Sequence, residues 1–202
     1  METDAVPAKN YQEDGVCIEH TELPSLPVLS KVPHTYPGCC LSLSAPLLSY
    51  LGTLMPAPPN IVLSVGSGYG LLEALLLSHV SSLSLVGVEV QPSSNRHLPA
   101  SHHQSVPGSR SLHPLAAEAT TWLFVYPKRV GLLEEYLCEF GGLGVVRIIW
   151  AGPQADWDDY KTCFERPDSA MRWNISVKSA DTVGGRPWDL IAIANIEKTH
   201  AV

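Results

Sequence analysis

Ile61-Val62-Leu63-Ser64-Val65-Gly66-Ser67-Gly68-Tyr69-Gly70 is the stretch that decides the fold; an apolar helix-like run from Leu71 to Val80 follows it, and then Leu85-Val86-Gly87-Val88-Glu89. The order reads as a buried strand, a Gly-x-Gly-x-Gly turn, a helix and a second buried strand ended by a carboxylate. Glycines let the chain turn sharply and admit a ligand where a Cβ would collide. The start of the helix offers unpaired N–H groups to an anion, and Glu89 can accept hydrogen bonds from both hydroxyls of a ribose. An α/β sheet binds the adenosyl end of a cofactor at its carboxyl edge in this way.

Strand and helix go on alternating beyond Glu89. The stretch from Gln91 to His113 holds Pro92, Pro99 and Pro107, with at most a short strand near Val106. A helix is expected over Pro114–Ala119, a strand over Trp122–Val125, and a helix over Leu132–Phe140 with Leu132, Leu133, Tyr136, Leu137 and Phe140 on one face. A strand over Val145–Trp150 and a helix over Ala155–Phe164 come next. The last two strands, Trp173–Val177 and Leu190–Ile196, are joined by Gly184-Gly185-Arg186-Pro187 without room for a helix. A hairpin at this point makes the final strand antiparallel to its neighbours, which dinucleotide-binding sheets lack. Ahead of the first strand, Ser44–Met55 reads as a short amphipathic helix with Ser44 as N-cap. Residues 1–43, broken by Pro7, Pro24, Pro27, Pro33 and Pro37, read as a lid or a tail, and residues 44–202 as one cofactor-binding domain.

Composition limits the function. The chain has 202 residues, 45% of them hydrophobic, enough for one self-sufficient core. A net charge of −7, with Lys128-Arg129 as the one basic pair in a strand-end loop, argues against a nucleic-acid partner. No apolar run reaches a bilayer span and the N-terminus does not resemble a signal peptide, so a cytoplasmic protein without a membrane partner is expected. Five cysteines without a Cys-x-x-Cys pair read as reduced thiols. His97, His102 and His103 read as a solvated loop, and no metal site is expected.

The spacing of the glycines separates two cofactor classes. A dinucleotide fingerprint, Gly-x-Gly-x-x-Gly, would need its third glycine at position 71, where Leu71 stands. With glycines at 66, 68 and 70, Glu89 at the end of the second strand and a terminal hairpin, the chain resembles the class I S-adenosylmethionine (SAM) dependent methyltransferases. Trp122-Leu123-Phe124-Val125-Tyr126-Pro127 and Trp150-Ala151-Gly152-Pro153 resemble, more narrowly, small fungal methyltransferase-like proteins. The resemblance implies a Rossmann-like, doubly wound α/β fold with a seven-stranded mixed sheet and SAM as cofactor. Its cofactor-binding set here would be Gly66, Ser67, Gly68, Tyr69, Gly70, Glu89, Val90 and Ser109. Ser109 enters because Gly108-Ser109-Arg110-Ser111-Leu112 lacks the acid that many family members place near the adenine. Val125-Tyr126-Pro127-Lys128 lacks the Asn/Asp-Pro-Pro-Tyr/Phe signature of nucleobase-nitrogen methylation.

The expected activity is methyl transfer to an O, N or S atom of a small molecule; the alternative is a SAM-binding protein without transfer. A nicotinamide-dependent oxidoreductase is nearly excluded by Leu71 and the hairpin. A sulfonium is an activated donor, so the protein chiefly has to orient the reactants and exclude water. A base is needed only if the acceptor loses a proton. Candidates for catalysis are His34, His113 and Tyr126, and candidates for the acceptor pocket are Tyr36, Tyr126, Asp156 and Trp157.

Overall fold

The computed structural model describes residues 23–165 and 171–197. Seven strands form one sheet: β3 (Ile61–Val65), β4 (Ser84–Val90), β5 (His103–Val106), β6 (Thr121–Val125), β7 (Arg147–Pro153), β8 (Trp173–Ser179) and β9 (Asp189–Ile196). Their order is β5-β4-β3-β6-β7-β9-β8. Strands β3 to β7 pair in parallel, and β9 is antiparallel to both β7 and β8. This is the mixed sheet expected from the sequence, with the last strand reversed. Between β8 and β9 the chain makes a short 3-10 turn, Ala180–Val183, where no helix was expected.

Both faces of the sheet are covered, so the central strands are apolar throughout and their residues alternate between two cores. Leu63, Trp122, Phe124, Ile148 and Trp150 belong to one core, with residues of α3 (Val130–Phe140) and α4 (Trp157–Lys161). Val62, Leu123, Ile149 and Ala151 belong to the other, with α1 (Ala45–Leu54) and α2 (Leu71–His79). The α3–α4 side is aromatic: the ring of Trp150 stands 5.3 Å from Trp157 and 5.2 Å from Tyr160. The α1–α2 side is mostly leucine. Ser44 caps α1 as expected, its hydroxyl accepting from the Leu47 N–H at 3.2 Å and donating to the Gly184 carbonyl at 2.6 Å.

Three expectations need correction. Residues 34–43 are not irregular: β1 (His34–Tyr36) and β2 (Cys39–Leu43) form an antiparallel hairpin with Tyr36 opposite Cys39. Its turn is Pro37-Gly38, with Gly38 at φ +74°, the proline-then-glycine pattern of a type II turn. The helix expected over Ala155–Phe164 is split into 3-10 turns at Gln154–Asp156 and Thr162–Phe164 around the short α4. The histidines after β4 are half-buried rather than solvated, and two of them are bonded through their rings. His102 Nδ1 lies 2.7 Å from the Leu85 carbonyl and His103 Nε2 lies 2.9 Å from the Ser93 hydroxyl. Tyr11 and His20 of the expected lid lie outside the described residues.

The aromatic core sets the first prediction. Trp150→Ala removes a side chain that is 1% exposed and leaves a cavity between β7 and α4. The cost should be about 3–5 kcal/mol, read as a lower urea midpoint with an unchanged denaturant slope.

Candidate functional site

The carboxyl ends of β3, β4, β5 and β6 and the β1–β2 hairpin enclose a cleft of about 900 Å³. Its floor is the glycine turn between β3 and α2. Gly66, Gly68 and Gly70 all adopt positive φ, +77°, +58° and +74°, a region that L side chains enter at a cost. The Gly66 and Ser67 N–H groups both donate to the Val88 carbonyl, at 2.9 and 3.1 Å. Glu89 completes the anchoring: one carboxylate oxygen accepts from the Gly68 N–H at 2.7 Å, the other from the Val90 N–H at 2.8 Å. Each oxygen has further acceptor capacity for a ligand hydroxyl.

The hairpin sits directly on this turn. A Cβ on Gly38 would fall 2.1 Å from Cγ of Tyr69, so only glycine lets the hairpin reach the ring. The Arg96 guanidinium also lies on Tyr69, 4.2 Å from its centroid. Thr35, Tyr36, Cys39 and Cys40 thereby become a wall of the cleft.

Of the cofactor residues expected from sequence, Gly66, Ser67, Gly68, Tyr69, Glu89, Val90 and Ser109 line the cleft. Gly70 turns away from it: a Cβ there would meet Asn95 Oδ1 at 2.7 Å and Leu98 Cγ at 2.8 Å. Tyr36 and Tyr126 also line the cleft, whereas His34, His113, Asp156 and Trp157 do not. His34 is exposed on β1. His113 caps the 3-10 turn Pro114–Ala117, its Nδ1 accepting from the Leu115 N–H at 3.3 Å. Trp157 is buried in the aromatic core, and Asp156 is exposed one residue before it.

Tyr126 follows β6 with φ +49°, an unfavourable backbone for a bulky residue. Its hydroxyl donates to Oδ1 of Asp189, a fully buried carboxylate whose Oδ2 has no hydrogen-bond partner among the described residues. Burial, and then the bond to Asp189, push the Tyr126 hydroxyl well above its ordinary range. The hydroxyl therefore keeps its proton at neutral pH, and its oxygen can accept a hydrogen bond. Asp189, at the start of β9, gave no sequence signal beyond its place at a strand edge.

A second acid escaped the sequence reading. Glu73, in the first turn of α2, lines the cleft and is 2% exposed. Its Oε1 accepts from the Ser64 hydroxyl at 2.6 Å, and among the described residues its Oε2 has no hydrogen-bond partner. Burial pushes its carboxyl up to about 7. The readable signal was a single charge inside Leu71-Leu72-Glu73-Ala74-Leu75-Leu76. At the cleft's other end Arg129 is bound to both carboxylate oxygens of Glu135, each at 2.7 Å, and to the Ser109 carbonyl at 2.8 Å.

No family model and no curated protein sequence matches the chain. Among solved structures it is similar to a SAM-dependent methyltransferase from Aquifex aeolicus, at 15% identity over 75% of this chain and 89% of that one, with a TM-score of 0.56. It is similar to precorrin-6y C5,15-methyltransferase from Geobacter metallireducens, at 11% identity over 81% and 93%, TM-score 0.53. A third similar structure is precorrin 8w decarboxylase from Methanobacterium thermoautotrophicum, at 14% identity over 83% and 99%, TM-score 0.53. At these identities the likeness is one of fold, and the chain has the class I methyltransferase fold.

Glu73 gives the protein a testable pH dependence. Its carboxyl titrates higher when folded than its ordinary value of 4.5, so between about 4.5 and 7 the folded state holds the extra proton. Its contribution to stability is complete at low pH and is lost as pH rises through that window. Glu73→Gln should flatten this part of the stability curve, by an amount on the order of 1–3 kcal/mol. Urea midpoints measured across the window check it, and an unaltered slope would contradict the assignment.

Proposed function

We propose that the chain is a SAM-dependent methyltransferase acting on an O, N or S atom of a small molecule. The observation that carries the reading is the anchored turn: three left-handed glycines, the middle one bonded to the Glu89 carboxylate near the end of β4, opening onto a cleft. The residues present fit the cofactor. A Cβ on Gly66 would meet nothing within 4 Å, which marks open space beside the backbone. Glu89 retains lone pairs for the ribose hydroxyls, Ser67, Gly68 and Tyr69 would cradle the methionine end, and Val90 and Ser109 would flank the adenine.

Bound SAM would supply a methyl group already activated by the sulfonium. The chain's part would then be to hold the acceptor in line and keep water out. The hairpin supplies the wall for this, with Thr35, Tyr36, Cys39 and Cys40, and in this reading it belongs to an N-terminal lid. Among the three catalytic candidates, Tyr126 lines the cleft. Its hydroxyl, committed to Asp189 as a donor, would accept a hydrogen bond from an acceptor N–H or O–H and orient it. A small-molecule acceptor is supported by the cleft volume, about 900 Å³, which falls in the range of about 300–1,000 Å³ usual for such sites. The excess of 20 acidic over 13 basic residues weighs against a nucleic-acid acceptor. Among the described residues no helix is long and apolar enough to cross a membrane.

Calorimetry with SAM, S-adenosylhomocysteine and NADPH tests the cofactor, and binding to NADPH alone would overturn the proposal. Glu89→Ala removes a ribose partner and frees the Gly68 N–H. SAM binding should weaken roughly ten- to a hundredfold, since a charge-assisted hydrogen bond is worth about 1.5–3 kcal/mol. Gly68→Val adds a branched side chain at φ +58° and should abolish binding without unfolding the core, as checked by calorimetry and circular dichroism.

A further inference from the structure

Glu73 is the one charged side chain of the glycine-turn unit whose role the turn itself does not explain. A carboxyl group enclosed on all sides is expensive unless something answers it. Here Ser64 donates to Oε1 and the residue's own backbone N–H favours the charged form, but among the described residues Oε2 has no hydrogen-bond partner. The charges that act on it make matters worse. Glu89 of β4 raises its proton affinity, and Glu73 in turn pushes up the Cys39 thiol of β2. From α1, packed against α2, the one ionisable side chain is Tyr50, which lies against Lys178. Among the described residues no lysine, arginine or histidine is paired with Glu73. The cations that line the cleft, Lys128 and Arg129, follow β6 instead.

The position of the acid says what could answer it. Glu73 is three residues after Gly70, and a helical side chain leans back toward its own N-terminus, here toward the turn. That turn is where, on the reading above, the amino-acid end of the cofactor lies. This end carries a carboxylate and a primary ammonium. The first-turn N–H groups of α2 suit the carboxylate. The ammonium needs an anion, and the structure offers an unpartnered carboxylate oxygen at the same end of the cleft.

We infer that Glu73 is the receptor for the ammonium group at the amino-acid end of the ligand, and that it releases one proton to solvent as that group docks. The inference rests on the proposed SAM site. The balance is simple: a neutral carboxyl and an ammonium become a carboxylate–ammonium pair plus one solvent proton, with no bond to carbon changed. Binding of an amino-acid-bearing adenosyl ligand is then proton-linked, weakening as pH falls below about 7. An adenosyl ligand without that end binds with no such linkage.

Two probes separate the outcomes: S-adenosylhomocysteine, which has the amino-acid end, and 5′-methylthioadenosine, which stops at the thioether. Calorimetry in buffers of different protonation enthalpy counts the protons released at a pH about one unit below 7, where the unliganded carboxyl is mostly protonated. The parent protein should release a proton with S-adenosylhomocysteine and none with 5′-methylthioadenosine. Glu73→Gln, which still accepts from Ser64, should bind S-adenosylhomocysteine at least about tenfold more weakly, as for a lost charged hydrogen bond, and without proton release. Its affinity for 5′-methylthioadenosine should match the parent's, which also shows that the variant is folded. Equal affinity of parent and variant for S-adenosylhomocysteine, or no proton release by the parent, overturns the inference while leaving the SAM site standing. Failure of the parent to bind either probe removes the SAM site and the inference with it.

Discussion

The tie between the Glu89 carboxylate and the Gly68 N–H, 2.7 Å long, is the constraint on which the site depends. A left-handed turn of three glycines has no intrinsic preference for one shape, since glycine has the most backbone freedom to lose. Glu89 and the Val88 carbonyl remove that freedom by holding Gly66, Ser67 and Gly68 from the neighbouring strand. The parallel register of β3 on β4 makes this possible, because Val65 pairs with Val88 at the last step before the turn. A slip of that register would part the carboxylate from the amide and the turn from its anchor.

The two faces of the sheet serve the site unequally. On the α3–α4 side, large rings interlock across Trp122, Phe124, Tyr136 and Trp150. The α1–α2 side is built of leucines, and there Ser64 and Glu73 put a polar pair beneath the turn. Tertiary packing has to hold that pair in place, since a buried carboxyl group adds little stability of its own. Asp189 repeats the pattern behind Tyr126, buried, half satisfied among the described residues and bonded to the hydroxyl of a residue in a strained backbone. Partly satisfied acids and a left-handed Tyr126 at the carboxyl edge are the deviations that proteins concentrate at working sites.

Much of this was legible in the sequence for a plain reason. Strands buried on both faces are continuous apolar runs, and Ile61–Val65, Leu85–Val88 and Trp122–Val125 stand out as such. The turn glycines and Glu89 could be read because their chemistry is local. The β1–β2 hairpin was missed because four prolines nearby masked a two-residue Pro-Gly turn in short strands. His113 and Trp157 were plausible as site residues by their place after sheet elements. Only three-dimensional packing turns one into a cap and the other into core. Glu73 and Asp189 were invisible for a related reason. What marks them is burial without a full set of partners, and burial depends on contacts distant in the chain.

The close approach of Gly38 to Tyr69 joins two parts of the cleft that would otherwise answer to different molecules. On the proposed function the glycine turn serves the cofactor and the hairpin wall the acceptor, and the two abut where Gly38 leaves no room for a Cβ beside Tyr69. Any free energy by which a filled turn favours one seat for the hairpin must return, in equal measure, as altered affinity at the wall. A cleft that holds both ligands as proposed would then have thermodynamic coupling between them built into its backbone.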